Sequence, residues 1–151
     1  MASADEFALV KIVRKIELFS HLDVDEAKKV LSLGVKKSHA EGEFVSRKGE
    51  RSTSFGILLA GQIGVYEDDD KRLGFLQVGD SMNAIGAFLR SPILVTSRAE
   101  APCTLLYFST LDIRSLRSSD LLLYTKIIER VLELAERLIA GMVPKVKQIE
   151  E

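Results

Sequence analysis

One cysteine, two histidines, three prolines and almost no net charge restrict this 151-residue chain before any motif is read. Cys103 alone cannot form an intrachain disulfide. Inside APCTLLYF it reads as a small buried apolar residue in a protein of a reducing compartment. The 21 basic and 22 acidic residues give a formal charge of -1, so there is no overall field to attract nucleic acid or an anionic membrane surface. No stretch approaches the run of about 18 apolar residues that a membrane span needs. The N-terminal MASADEFALVKIVRKIELFSHL is interrupted by Lys11, Arg14, Lys15 and Glu17, the pattern of an amphipathic helix and not of a signal peptide. These absences predict a cytoplasmic protein with neither a membrane nor a nucleic acid as partner. His21 in FSHLD and His39 in KSHAEG read as turn and surface residues and form no pair suited to a metal. No Ser/His/Asp or Cys/His arrangement stands in a recognisable nucleophilic context. The chain is read as non-enzymatic, with no catalytic residue, metal or cofactor.

What is present is a core. Hydrophobic residues make up 46% of the chain and charged ones 28%, enough for one globular domain over residues 1–151. Leu9, Ile12, Val13 and Ile16 recur at helical spacing, which predicts a helix over residues 5–17 with one buried face. Asp23 and Glu26 form a capping-box pair that opens a second helix, DVDEAKKVLSLG, and Gly34 can close it. From Val35 to Phe108 the chain becomes short apolar runs punctuated by Gly42, Gly49, Gly61, Gly64, Gly74, Gly79 and Gly86. That punctuation indicates an antiparallel sandwich or barrel. EDDDKR, between GQIGVY and LGFLQVG, reads as a solvated hairpin tip.

After STLDIRSLRSSD the helical period returns. Leu121, Tyr124, Ile128, Val131, Ala135, Leu138 and Met142 follow alternating spacings of three and four, a heptad stripe. Ile127, Leu132, Leu134 and Ile139 add apolar surface beside it. One helix with two apolar surfaces calls for two partners, so the stripe predicts a homodimer through the C-terminal helix. Pro144 is expected to end that helix near Gly141 to Val143. The predicted fold is α+β: an antiparallel, jelly-roll-like β-roll of about eight strands over residues 36–108. Helices within residues 5–34 precede it and helices within 110–143 follow it.

This order of elements resembles the cyclic nucleotide-binding domain family. IELFSHLDVDEAKKVLSLGVKKSHAEGEFVSRKGE is similar to the family's opening, and AEGEFVSRKGERSTSFGILLAGQIGVY to its central strands. LGFLQVGD resembles the strand and turn that enter the family's phosphate-binding cassette. In the family that cassette reads approximately FGELALL, a short loop, then PRxAxVxA. Here the first part falls on MNAIGAF and the second on PILVTSRA, with Pro92 and Ala99 keeping the register. The resemblance implies a ligand pocket at Asn83, Ala84, Ile85, Gly86, Arg90, Pro92, Ile93 and Leu94. It also implies that the glutamate for the ribose 2′-hydroxyl is replaced by Ala84, and the arginine for the cyclic phosphate by Ile93.

A cyclic phosphate taken out of water needs charge-assisted donors, which arginine's planar fork supplies and isoleucine cannot. Each such contact is worth roughly 1.5 to 3 kcal/mol, so losing two costs on the order of a hundred- to ten-thousand-fold in affinity. Backbone N–H groups around Asn83 to Gly86 remain to attract an anion. Arg98, five residues beyond Ile93, is expected on the opposite face of its strand; Arg90 could fold inward from the loop, although an arginine beside Ser91-Pro92 is more often solvated. The cassette therefore disfavours cyclic AMP and cyclic GMP and points to a regulatory or interaction module that has lost its ligand and has a possible protein partner. The alternative is a sensor of a cyclic nucleotide or other small molecule in a non-standard pocket. Only PKVKQIEE follows the long helix, which leaves no room there for a helix-turn-helix, and the start at Met1 suggests a complete small protein.

Overall fold

Gly34 marks the change from helical to strand periodicity, and the structure changes character there. The computed structural model describes residues 4–150 apart from Asp69; the side chains of residues 4–7, 9 and 142–150 lie outside that description. Helix α1 (Ala4–Lys15) leads through a 3₁₀ turn (Glu17–Phe19) to α2 (Val24–Leu31). The expected capping box opens α2: the Glu26 N–H donates to Asp23 Oδ1 at 2.8 Å, and the Asp23 N–H donates to Glu26 Oε1 at 3.1 Å.

Eight strands follow: β1 (Val35–His39), β2 (Phe44–Ser46), β3 (Ser54–Ala60), β4 (Ile63–Tyr66), β5 (Arg72–Leu76), β6 (Ser81–Met82), β7 (Thr96–Ala99) and β8 (Cys103–Ser109). They form two antiparallel four-stranded sheets, ordered β1-β8-β3-β6 and β2-β7-β4-β5. A short helix, α3 (Ala84–Leu89), interrupts the strands, and α4 (Thr110–Ser119) and α5 (Leu121–Glu150) complete the fold. This is the expected α+β β-roll with flanking helices. Asp68 and Asp70 sit at the β4-β5 hairpin tip, where Asp68 Oδ1 accepts from the N–H groups of Asp70 and Lys71 at 3.2 Å; Asp69 lies outside the described residues.

Strand alternation divides the apolar residues between two clusters. Cys103 and Leu105 of β8 join Leu58, Ile63, Met82 and Ala99 between the sheets. Leu106 and Phe108 point to the helices, where Phe108 stacks on Phe55 at 5.2 Å and meets Phe19 edge-on at 5.4 Å. Burying each ring contributes about 1.5 to 3 kcal/mol. Gly79 fixes the first helix to the roll. It has φ +99°, and a Cβ there would collide with the Lys15 carbonyl oxygen, so both conformation and space require glycine.

Helix α1 turns Val13 inward and ends at Lys15, one residue short of the buried Ile16 expected on its inner face; Ile12 is 48% exposed, and Leu9 lies outside the described side chains. The inward face of α5 differs from the heptad expectation. Leu123, Ile127 and Val131 are buried, with Tyr124 and Leu134 packed beside them. Val131 thus belongs to the chain's own core and not to an open seam. Leu121 and Leu138 are exposed, Ile128 and Ala135 half-buried, and the Met142 side chain lies outside the described residues. The reason lies in distant partners: polar anchors from the N-terminal segment fix the rotation of α5 about its axis. Lys126 pairs with Glu26 at 2.8 Å, Arg130 donates to Ser20 Oγ at 2.7 Å, and Arg137 pairs with Glu17. The helix also runs on through Pro144 to Glu150, past its expected end. A proline removes one helical hydrogen bond and costs about 3 kcal/mol, but it does not dictate termination.

Candidate ligand site

The cassette begins at a turn whose backbone is left-handed. Asn83, which stands at the motif's glycine, has φ 64° and caps the start of α3. Asparagine is among the few residues that tolerate that conformation, so its placement serves the turn. At the other end Arg90 is left-handed too, with φ 56°, and the N–H groups of Arg90 and Ser91 donate to the Ala87 and Gly86 carbonyls at 3.3 and 3.1 Å. The loop then returns to the sheet: the Ile93 N–H donates to the Glu50 carbonyl at 2.8 Å, and the Gly49 N–H donates to the Ile93 carbonyl at 2.8 Å.

These elements enclose a cavity of about 490 Å³. Asn83, Ala84, Ile85, Gly86, Pro92, Ile93 and Leu94 all line it. Arg90 does not; it is exposed and borders a neighbouring cavity. Among the described residues, none that lines the cassette cavity is Asp, Glu, Lys, Arg or His. Its polar groups are Asn83 and the serines 52, 81, 91 and 97. Ala84 is 3% and Ile93 9% exposed, so the two positions at issue are filled by packed apolar side chains.

Val65 and Leu76, one from each strand of the β4-β5 hairpin, were not singled out from the sequence. The signal was available in the alternation of GQIGVY and LGFLQVG. Leu134 and Leu138 of α5 also border the cavity, which no local pattern reveals.

Charge is placed outside. Arg98, on the face of β7 opposite the cavity-lining Ser97, lies over the rings of Tyr66 and Phe44 at 5.2 and 5.9 Å. Glu100 is gripped there by Arg72, whose Nε and Nη2 donate at 2.9 and 2.8 Å, by the Tyr66 hydroxyl at 2.7 Å and by Gln62 at 2.9 Å. The Arg72 and Tyr66 bonds, with a smaller one from Gln62, hold its carboxyl at about 2 against an ordinary 4.5.

The histidines are better anchored than their contexts suggest. His39 Nδ1 meets Glu43 Oε2 at 2.9 Å and its Nε2 meets the Tyr107 hydroxyl at 3.0 Å, so His39 is no free surface residue. Burial pushes Tyr107 up to about 12. His21 Nε2–H donates to the Lys126 carbonyl at 3.1 Å. Cys103 is buried, and burial raises its thiol. Among the described residues there is no group of three or more His, Cys, Asp or Glu that could hold a metal ion, and no helix long and apolar enough to cross a membrane.

Comparison with known proteins agrees with this geometry. The model of the cyclic nucleotide-binding domain matches residues 36–120, more than half of the chain. A cyclic nucleotide-binding domain from Methylobacillus flagellatus superposes with a TM-score of 0.78 at 17% identity, over 95% of this chain and 84% of that one. The sensor domain of the transcriptional regulator DNR from Pseudomonas aeruginosa gives 0.69 at 18% identity, over 99% and 98%. The regulatory domain of Toxoplasma gondii PKA with cAMP gives 0.67 at 15%, over 85% and 50%. With the two sheets, the α3 cassette and the helical flanks in the order of that fold, the chain belongs to the cyclic nucleotide-binding domain family.

Proposed function

We propose that this protein is a non-enzymatic regulatory and interaction module in which the cassette has given up cyclic nucleotide binding. The observation that carries the reading is the lining of the 490 Å³ cavity, which holds no charged side chain among the described residues. A cyclic nucleotide placed there meets Ala84 where a carboxylate would hold its ribose, and Ile93 where a guanidinium would hold its phosphate. An anion desolvated without a paired charge is strongly disfavoured.

The module acts through α5, pairing as a homodimer in the cytoplasm. Leu132, Leu138 and Ile139 are exposed on it, and Leu138 also borders the cassette cavity. A second copy covering these residues would couple the state of the cassette to assembly, since one side chain serves both. The likeness to a sensor domain of a transcriptional regulator, aligned over nearly all of both chains, fits a regulatory role.

The test is calorimetric titration with cyclic AMP and cyclic GMP, paired with light scattering. The reading requires no saturable cyclic nucleotide binding and a dimeric mass. Tight cyclic nucleotide binding refutes the loss of ligand, and a monomer at high concentration refutes the pairing.

A further inference from the structure

A second cavity, of about 620 Å³, borders the same short helix. It takes Ala87 and Arg90 from the α3 region, where the cassette cavity takes Ala84, Ile85, Gly86 and Leu89, and Ser52 lines both. Its chemistry is the reverse of its neighbour's. Arg51, Arg90 and Arg114 line it, and Asp112 is the one carboxylate among the described lining residues, which leaves +2 from three positive charges and one negative.

Two hydroxyls there lack partners. Ser52 is 5% and Thr110 6% exposed; both line the cavity, and neither side-chain oxygen has a hydrogen-bond partner. Leaving a buried polar group unsatisfied is costly, so such groups are retained where something completes them. Arg114 is similar. Its Nη2 donates to the Phe88 carbonyl at 2.7 Å, while its Nε is buried without a partner. Thr110 also opens the ten-residue α4, whose N-cap Ser109 makes no side-chain cap bond, so the helix's positive end adds to the same field.

We propose that this cavity is a binding site for a small organic phosphate. A phosphate monoester carries about -1.5 to -2 charge at neutral pH with three terminal oxygens. That matches a net +2 set of arginines and unsatisfied hydroxyls better than a carboxylate of single charge. Leu33, Val35 and Leu111 also line the cavity, and Val35 and Leu111 are exposed, giving the organic part apolar surface to cover. The volume falls within the usual range of small-ligand sites.

Occupancy would join three segments. Arg51 forms a backbone bridge with Pro92 of the cassette loop, Arg90 ends α3, and Arg114 lies on α4, which packs on α5. A phosphate gripped by all three fixes the cassette against the C-terminal helices. The site shares one residue with the cassette cavity and stands whether or not that cavity binds cyclic nucleotides.

The test uses the full chain, labelled for amide NMR, titrated with phenyl phosphate and with inorganic phosphate at constant ionic strength. Saturable shifts are expected at the amides of Ser52, Thr110 and Leu111, with phenyl phosphate the tighter of the two. Arg51→Ser with Arg90→Ser, both exposed in the native chain, should weaken phenyl phosphate about tenfold or more without lowering the melting temperature of the free protein. Should that pair of changes disturb folding, Thr110→Val provides a second variant and should also weaken binding. Absence of saturable shifts at these amides would overturn the proposal. So would equal affinity for both probes, or undiminished binding in a folded variant.

Discussion

Two cavities border one six-residue helix, and they have opposite chemistry. The cassette cavity is walled by Ala84, Ile85, Ile93 and leucines from β5 and α5, with no charge among its described lining residues. Its neighbour collects three arginines and two unsatisfied hydroxyls. Both border α3, but their other walls differ: β5, the loop before β7 and α5 line the first, while the segment before β3, the end of β8 and the start of α4 line the second. A fold keeps its turns and helix starts for reasons of conformation, as at Asn83 and Gly79, while the side chains carried on that frame set the chemistry of each cavity separately.

The sharpest way to break this contrast is to restore the missing pair. Ala84→Glu with Ile93→Arg should gain on the order of a hundred- to ten-thousand-fold in cyclic AMP affinity over the unmodified chain. Because both positions are buried, the ligand-free variant should melt lower and recover when the nucleotide is added. A variant that folds but shows no gain by calorimetry would mean that Ala84 and Ile93 do not decide the specificity of this cavity.

The second prediction separates the core face of α5 from its open face. Val131→Glu places an unpaired charge among Leu123, Ile127 and their neighbours and should cost about 3 to 5 kcal/mol in urea unfolding. Leu138→Glu, at a 56% exposed site, should change stability by less than about 0.5 kcal/mol and shift the mass by light scattering from dimer to monomer. Equal destabilisation by the two changes would contradict the rotation of α5 described above.

The smallest effect concerns charge kept outside the roll. Glu100 has a folded value of about 2 against an ordinary 4.5. Its stabilising contribution is therefore full above about pH 4.5 and is lost as pH falls toward 2. Glu100→Gln should lower stability modestly at neutral pH and flatten the acid limb of a melting-temperature profile between those values. An unchanged acid limb would show that the Arg72-Glu100-Tyr66 cluster does not govern it.

Much of the architecture was legible in the sequence because its signals are local. The Asp23-Glu26 capping pair, the strand alternation and the turns at Gly42, Gly49, Gly61 and Gly79 each depend on neighbours within a few positions and are found where expected, whereas Gly64, Gly74 and Gly86 lie inside β4, β5 and α3 and do not separate the runs. The seven cassette positions other than Arg90 converge on one cavity because a single continuous segment carries them. What escaped depends on distant partners. The apolar residues of α5 support more than one stripe, and the choice is made by Glu17, Ser20 and Glu26, 100 to 120 residues before their partners. The arginine-rich cavity draws Arg51, Arg90 and Arg114 from three separate segments, so no run of sequence announces it. Pro144 misled for a different reason: its local cost is real, but a helix already three turns past Val131, the last buried anchor among its described side chains, does not depend on that one bond.

The most direct test of the central claim is a calorimetric titration of the unmodified chain with cyclic AMP. The account predicts no saturable heat up to about 100 μM nucleotide, since no charged side chain stands among the described residues that line the cassette cavity. A submicromolar dissociation constant with Ala84 and Ile93 in place would contradict it.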